Sequence, residues 1–169
     1  MPDTIETCEL PASALLRKYV YAGAYTDCYV TQIAASVSLA EYVEAFYTTV
    51  PFKLERFILK WVVSKPSSDS DARHLALAQA DSFAAWRVEG RSADQLLLCD
   101  FRQSTRSWLM VAPPERNATG TRLYFGSAVV PARTKSGEAQ MGFVFQALLG
   151  FHKLYSRVLL RAATARLVR

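Results

Sequence analysis

The sequence predicts an α+β fold: a curved antiparallel sheet packed on a long C-terminal helix, with two or three short helices after the first strand. Three observations predict it. A strand-like stretch near the start runs into a helix-capping signal. Further on, four strand-like stretches follow one another, the first three separated by turns too short for parallel crossovers. Residues 142–168 then carry a helical apolar pattern to the end. Strands followed by one long amphipathic helix, which must bury its apolar stripe on the sheet, define the α+β class.

Residues 1–17 have no clear period and are expected to be an irregular segment within a single domain of 169 residues. The stretch YTDCYVTQIA, residues 25–34, is rich in Tyr, Thr, Val and Ile and predicts the first strand. Ser38-Leu39-Ala40-Glu41 is a capping box that opens a helix to about Thr49. Pro51 suits the first turn of a second helix, whose apolar side is Phe57, Ile58, Trp61 and Val62. The polar run from Ser64 to Asp71 reads as a loop, and Asp71 as the cap of a third helix through Ala80. The period then changes. Residues 82–90, 95–102, 106–113 and 121–131 predict four strands, the last preceded by a Pro-Pro loop. One helix of roughly 40 Å, at 1.5 Å rise per residue, closes the chain.

Composition narrows the function. A hydrophobic share of 51% with 21% charged residues is that of a globular chain, and no apolar run is long enough to span a membrane. The N-terminus lacks the basic flank and apolar run of a signal peptide, and Cys8, Cys28 and Cys99 lack metal-ligand spacing. They read as reduced thiols in a cytoplasmic protein. The net charge of +5 is concentrated in Lys153, Arg157, Arg161, Arg166 and Arg169. Opposite an apolar stripe, and without an aromatic platform, these predict a solvated face rather than a nucleic-acid site. There is no nucleophile elbow, Walker loop or dinucleotide fingerprint, so no cofactor is expected, and two histidines without carboxylate spacing predict no metal site.

Three stretches carry a resemblance. YTDCYVTQIAASVSLAEYVEAFY looks like an opening strand and capped helix, QLLLCDFRQSTRSWLMV like a central hairpin, and GFHKLYSRVLLRAA like a closing helix, as these occur in the START-like (SRPBCC, helix-grip) superfamily. More narrowly, the chain resembles a mostly bacterial family of uncharacterised domains within it. The likeness covers most of residues 25–165 and is most specific at Phe151-His152. Gly150 stands where that family often has proline, and Arg102 and Arg106 where it tends to be acidic. The resemblance implies a cavity between sheet and C-terminal helix that takes a small hydrophobic or amphipathic molecule. Some members of the superfamily cyclise or dehydrate their ligand.

The candidate site residues follow from that cavity. His152 lies on the inward side of the closing helix with Leu148 and Tyr155, while Lys153, Arg157 and Arg161 lie on the far side. It has three open roles: a packed histidine bonded to sheet or loop, a ligand contact, or the acid or base of a cyclase-type enzyme. Trp86, Trp108 and Tyr124 fall on three strands and either line the pocket or fill the core. His74, Arg87, Arg102 and Arg106 are read as surface residues, the arginines with the alternative of meeting an acidic ligand. Beside the binding reading stand two others: the enzyme, and an interaction domain whose interior is filled by side chains.

Overall fold

The computed structural model describes residues 4–53, 67–114, 118–130 and 143–168; of residues 143–152 it describes the backbone alone. Seven strands form one open sheet in the order β1-β2-β7-β6-β5-β4-β3, every pair antiparallel. The strands are β1 (Glu6–Thr7), β2 (Tyr25–Ile33), β3 (Ser82–Phe83), β4 (Trp86–Arg91), β5 (Gln95–Asp100), β6 (Thr105–Ala112) and β7 (Thr121–Val129). The helices described from end to end are α1 (Arg17–Tyr21), α2 (Leu39–Tyr47), α3 (Asp69–Ala76) and α4 (Phe143–Leu167). This is the α+β class, with an antiparallel sheet and a long closing helix.

Local chemistry accounts for the element ends. Ser38 Oγ accepts from the Glu41 amide, and the Glu41 carboxylate accepts from the Ser38 amide at 2.8 Å, closing the capping box that opens α2. A second box opens α3, where the cap is Ser68 and not Asp71 as the sequence suggested. Asp71 is the reciprocal N3 member, bonding the Ser68 amide at 2.7 Å. The expected strand 82–90 is broken in two, because Ala84 turns at φ 53° and folds β3 back on β4. Residues 50–53 are helical, and the apolar side expected at Phe57, Ile58, Trp61 and Val62 lies outside the described residues.

The N-terminal segment has no helix or strand over residues 8–16 but contributes two short elements on either side of that stretch. Residues 6–7 pair with β2 and residues 17–21 form α1, so the sheet begins before Tyr25. Sheet residues divide by the period of two. Tyr29, Ile33, Leu96, Leu98, Leu109, Leu123 and Phe125 face one side and meet Tyr42, Phe46, Leu75, Leu159, Leu160 and Ala163 from the helices. Cys28, Leu97, Trp108, Met110, Tyr124 and Ala128 face the other side and meet Ala14 and Leu16. Both faces are thus covered: one by α2, α3 and α4, the other by the N-terminal segment. Among the described residues, no helix is long and apolar enough to cross a membrane.

Candidate functional site

An open cleft of about 860 Å³ lies where the N-terminal segment departs from β2. Strand β1 is two residues long, and past the Cys8 amide, which donates to the Cys28 carbonyl at 3.0 Å, the chain turns away toward α1. Tyr25, Asp27 and Tyr29 then line one wall, Arg17 and Val20 of α1 another, and Lys153, Leu154 and Arg157 of α4 a third. The cleft is therefore bounded by the sheet edge and the closing helix.

Its polar groups are ordered. Asp27 Oδ1 accepts from the Ser127 amide at 3.0 Å and from Ser127 Oγ at 2.6 Å. The Arg157 guanidinium stacks over the Tyr29 ring at 5.6 Å and donates to Thr7 Oγ1 at 3.2 Å. Arg17 donates to the Leu10 carbonyl at 2.7 Å and to the Tyr21 hydroxyl at 3.1 Å. Burial, and then the charge of Asp27, push the Tyr25 phenol up to about 12, so it is a protonated donor at neutral pH. Apolar surface stands beside the cations: Leu154 is 64% exposed and Val20 45%. Three cations against two carboxylates, Glu9 and Asp27, leave the lining net positive, and with the Tyr25 phenol and exposed aliphatic carbons beside them the cleft can hold a molecule with an anionic head and an apolar body.

The residues singled out from the sequence fall elsewhere. Trp108 and Tyr124 lie on the face away from α4, because Leu109, Leu123 and Phe125 occupy the alternate positions toward it. They cannot line a cavity between sheet and helix, and that expectation is corrected. Trp108 is fully buried there, its Nε1 donating to Gln95 Oε1 at 2.9 Å, an oxygen that also accepts from the Leu15 amide. Trp86 and Tyr155 are half-buried against the helix-side core and do not border the cleft. The side chains of His152 and Leu148 lie outside the described residues, and His74 is exposed on α3.

Arg106 also departs from its expected surface position. It is 8% exposed, on the N-terminal-segment side of β6, and pairs with Glu89 Oε2 at 2.6 Å. Glu89 is the extra residue of a β-bulge, since Val88 pairs with Leu98 and Gly90 with Leu97. Tyr19 and Lys18 reach the same carboxylate from α1, each at 2.5 Å, and Arg106 donates further to the carbonyls of Gln103 and Thr105. Every partner of this cluster is internal, so it pins α1 to the sheet. The cleft residues are distant in sequence and meet only through the pairing of β1 with β2 and the packing of α1 and α4 beside it. The available signal was Leu154, an apolar residue one position after Lys153 and three before Arg157, at the basic face. Compared with protein-family models, with curated proteins and with solved structures, the chain has no match.

Proposed function

We propose that the chain is a helix-grip binding domain of the START-like kind that holds a small amphipathic molecule in the cleft between the β2 edge and the closing helix. The anionic head lies against Arg17, Lys153 and Arg157, and the apolar body lies on Leu10, Val20 and Leu154. The observation that carries this reading is the convergence of cations with exposed aliphatic side chains in one cleft. The element order supports it: a strand, short helices, an antiparallel meander and a long closing helix. The described helix-side interior is filled by Phe46, Tyr47, Phe52, Phe83 and Phe125, with ring centroids between 4.8 and 6.4 Å apart, which favours a ligand at the edge over one in the middle.

The test is titration with dansyl-undecanoate, an amphipathic carboxylate whose fluorescence reports transfer out of water. The parent chain is expected to bind it saturably. The double reversal Lys153→Glu with Arg157→Glu should weaken binding about tenfold, since each exposed pair contributes up to roughly 1 kcal/mol. Saturable binding that the reversal leaves unchanged, or no binding by the folded parent chain, would overturn the reading.

A further inference from the structure

We propose that Cys8 and Cys28 are a redox pair, a modification site at which a hydroperoxide converts two thiols into a disulfide that staples the N-terminal segment to β2. The inference is independent of the ligand-binding reading.

The first observation is register. Glu6 pairs with Val30 and Thr7 with Tyr29, so the next step sets Cys8 opposite Cys28. The Cys8 amide donates to the Cys28 carbonyl at 3.0 Å, and the two Sγ atoms stand 3.2 Å apart. Directly opposed residues on antiparallel strands hold their Cβ atoms roughly 4.5–5.5 Å apart. A disulfide needs roughly 3.5–4.5 Å. The required shift is small, and β1 is a two-residue edge strand with one neighbour, so it can make that shift.

The second observation is access with a built-in division of labour. Both cysteines border the open cleft, Cys8 half-buried and Cys28 2% exposed. The two sulfurs share one hydrogen bond. That bond lowers the Cys8 pKa, while the same bond and then burial raise that of Cys28. Cys8 is also the less buried of the two and is the sulfur that an oxidant entering the cleft meets first. Cys99 is excluded as a partner. It sits on β5, three strands from β2, or roughly 14 Å at the usual inter-strand spacing.

The chemistry balances. The Cys8 thiolate attacks the terminal oxygen of the hydroperoxide; an S–O bond forms, the O–O bond breaks, and the alkoxide leaves and takes a proton from water. Cys8 is then a sulfenic acid. The Cys28 sulfur attacks that sulfur, the S–O bond breaks, and hydroxide leaves as water with the Cys28 proton. Two thiols lose two electrons and two protons, and the hydroperoxide is reduced to an alcohol and water.

The experiment uses the full chain, reduced, desalted and treated with one equivalent of hydrogen peroxide. It is then denatured in N-ethylmaleimide and weighed intact. The reduced chain carries three adducts, one for each cysteine. The oxidised chain is expected to carry one, on Cys99, with the mass of two hydrogens lost, a tryptic link between the Cys8 and Cys28 peptides, and full reversal by dithiothreitol. The variant Cys8→Ser changes only a half-buried edge position, and its folding is checked by circular dichroism. It should retain two adducts after peroxide and show no two-hydrogen loss. Three adducts after peroxide, a sulfinic acid on Cys8 with Cys28 still alkylated, a disulfide-linked dimer, or a Cys28–Cys99 link in the variant would each overturn the proposal.

Discussion

Replacing Glu89 with glutamine tests the cluster that holds α1 on the sheet. Glutamine keeps the shape and one acceptor oxygen but removes the charge. Of the three partners of the carboxylate, Lys18 is 56% exposed, and an exposed ion pair contributes only about 0–1 kcal/mol. The side chain of Arg106 is 9% exposed, so its guanidinium loses a counter-ion that water cannot replace. Removing one partner of a fully buried pair costs about 3–5 kcal/mol, and the 20% exposure of Glu89 and the retained acceptor reduce that to about 2–3 kcal/mol. For a urea slope of about 2 kcal/mol per molar, the unfolding midpoint should fall by about 1 M at neutral pH.

The pH dependence sharpens the test. Burial acts to raise the Glu89 pKa, but hydrogen bonds from Lys18 and Tyr19 and the Arg106 charge outweigh it and hold the carboxyl below its ordinary value of 4.5. A depressed folded pKa gives a stabilisation that is complete above the unfolded value and is lost as pH falls through the folded one. Glu89→Gln lacks that titration. Urea melts of the two proteins should therefore differ most at neutral pH, and the difference should narrow at an acid pH below the ordinary value of 4.5. A gap of the same size at both pH values, or a variant indistinguishable from the parent at neutral pH, would refute the assignment of the energy to the charge pair. Glu89→Leu combined with Arg106→Met should recover part of the loss, because the buried guanidinium goes with its partner.

Two further substitutions probe the two faces. A Cβ at Gly126 would stand 2.9 Å from the Asp27 carbonyl oxygen, 2.9 Å from Trp108 Cε3 and 3.0 Å from Leu16 Cδ2, so Gly126→Ala should cost about 1–3 kcal/mol and alter the near-ultraviolet signal of Trp108; a variant that melts like the parent would show that the row relaxes freely. On the helix side, Tyr47→Phe removes the buried bond between Tyr47 Oη and Ser107 Oγ, 2.9 Å, and should cost about 1–2 kcal/mol in a chemical melt. Ser107→Ala added to it should cost little more, and a fully additive second loss would mean that the hydroxyls are not coupled.

Much of the fold was legible because its signals are local. The Ser38–Glu41 box marks the start of α2 within a few residues, strands β4 to β6 announce themselves by composition and short turns, and β7 by composition. Ser68 and Asp71 are both good caps by type, and the reciprocal bonds between them make Ser68 the cap and Asp71 the N3 partner. Arg106 was misplaced because its counter-ion comes from a bulge in another strand, which no local pattern announces.

The site was illegible for a deeper reason, visible in β5 and β6. Leu96-Leu97-Leu98-Cys99 and Ser107-Trp108-Leu109-Met110 are buried throughout, so the period of two says that Trp108 and Leu109 diverge but not which of them meets the closing helix. A sheet with one wet face would have answered that by its polar residues. Here the second face is covered by residues 8–19, an aperiodic segment held by side chains: Gln95 bonds the Leu15 amide and the Ser13 carbonyl, and Leu16 packs on the Trp108 side. The cleft exists because that segment pairs with β2 for two residues and then crosses to the far face, leaving Tyr25 to Asp27 beside α4. Its position therefore depends on where a non-periodic segment lets go of an edge strand. The cross-strand step from Thr7–Tyr29 to Cys8–Cys28 marks that point of release. A bond between the two sulfurs would fix the segment at the place where it turns away, which is why the redox state of one pair of side chains bears on the shape of the cleft.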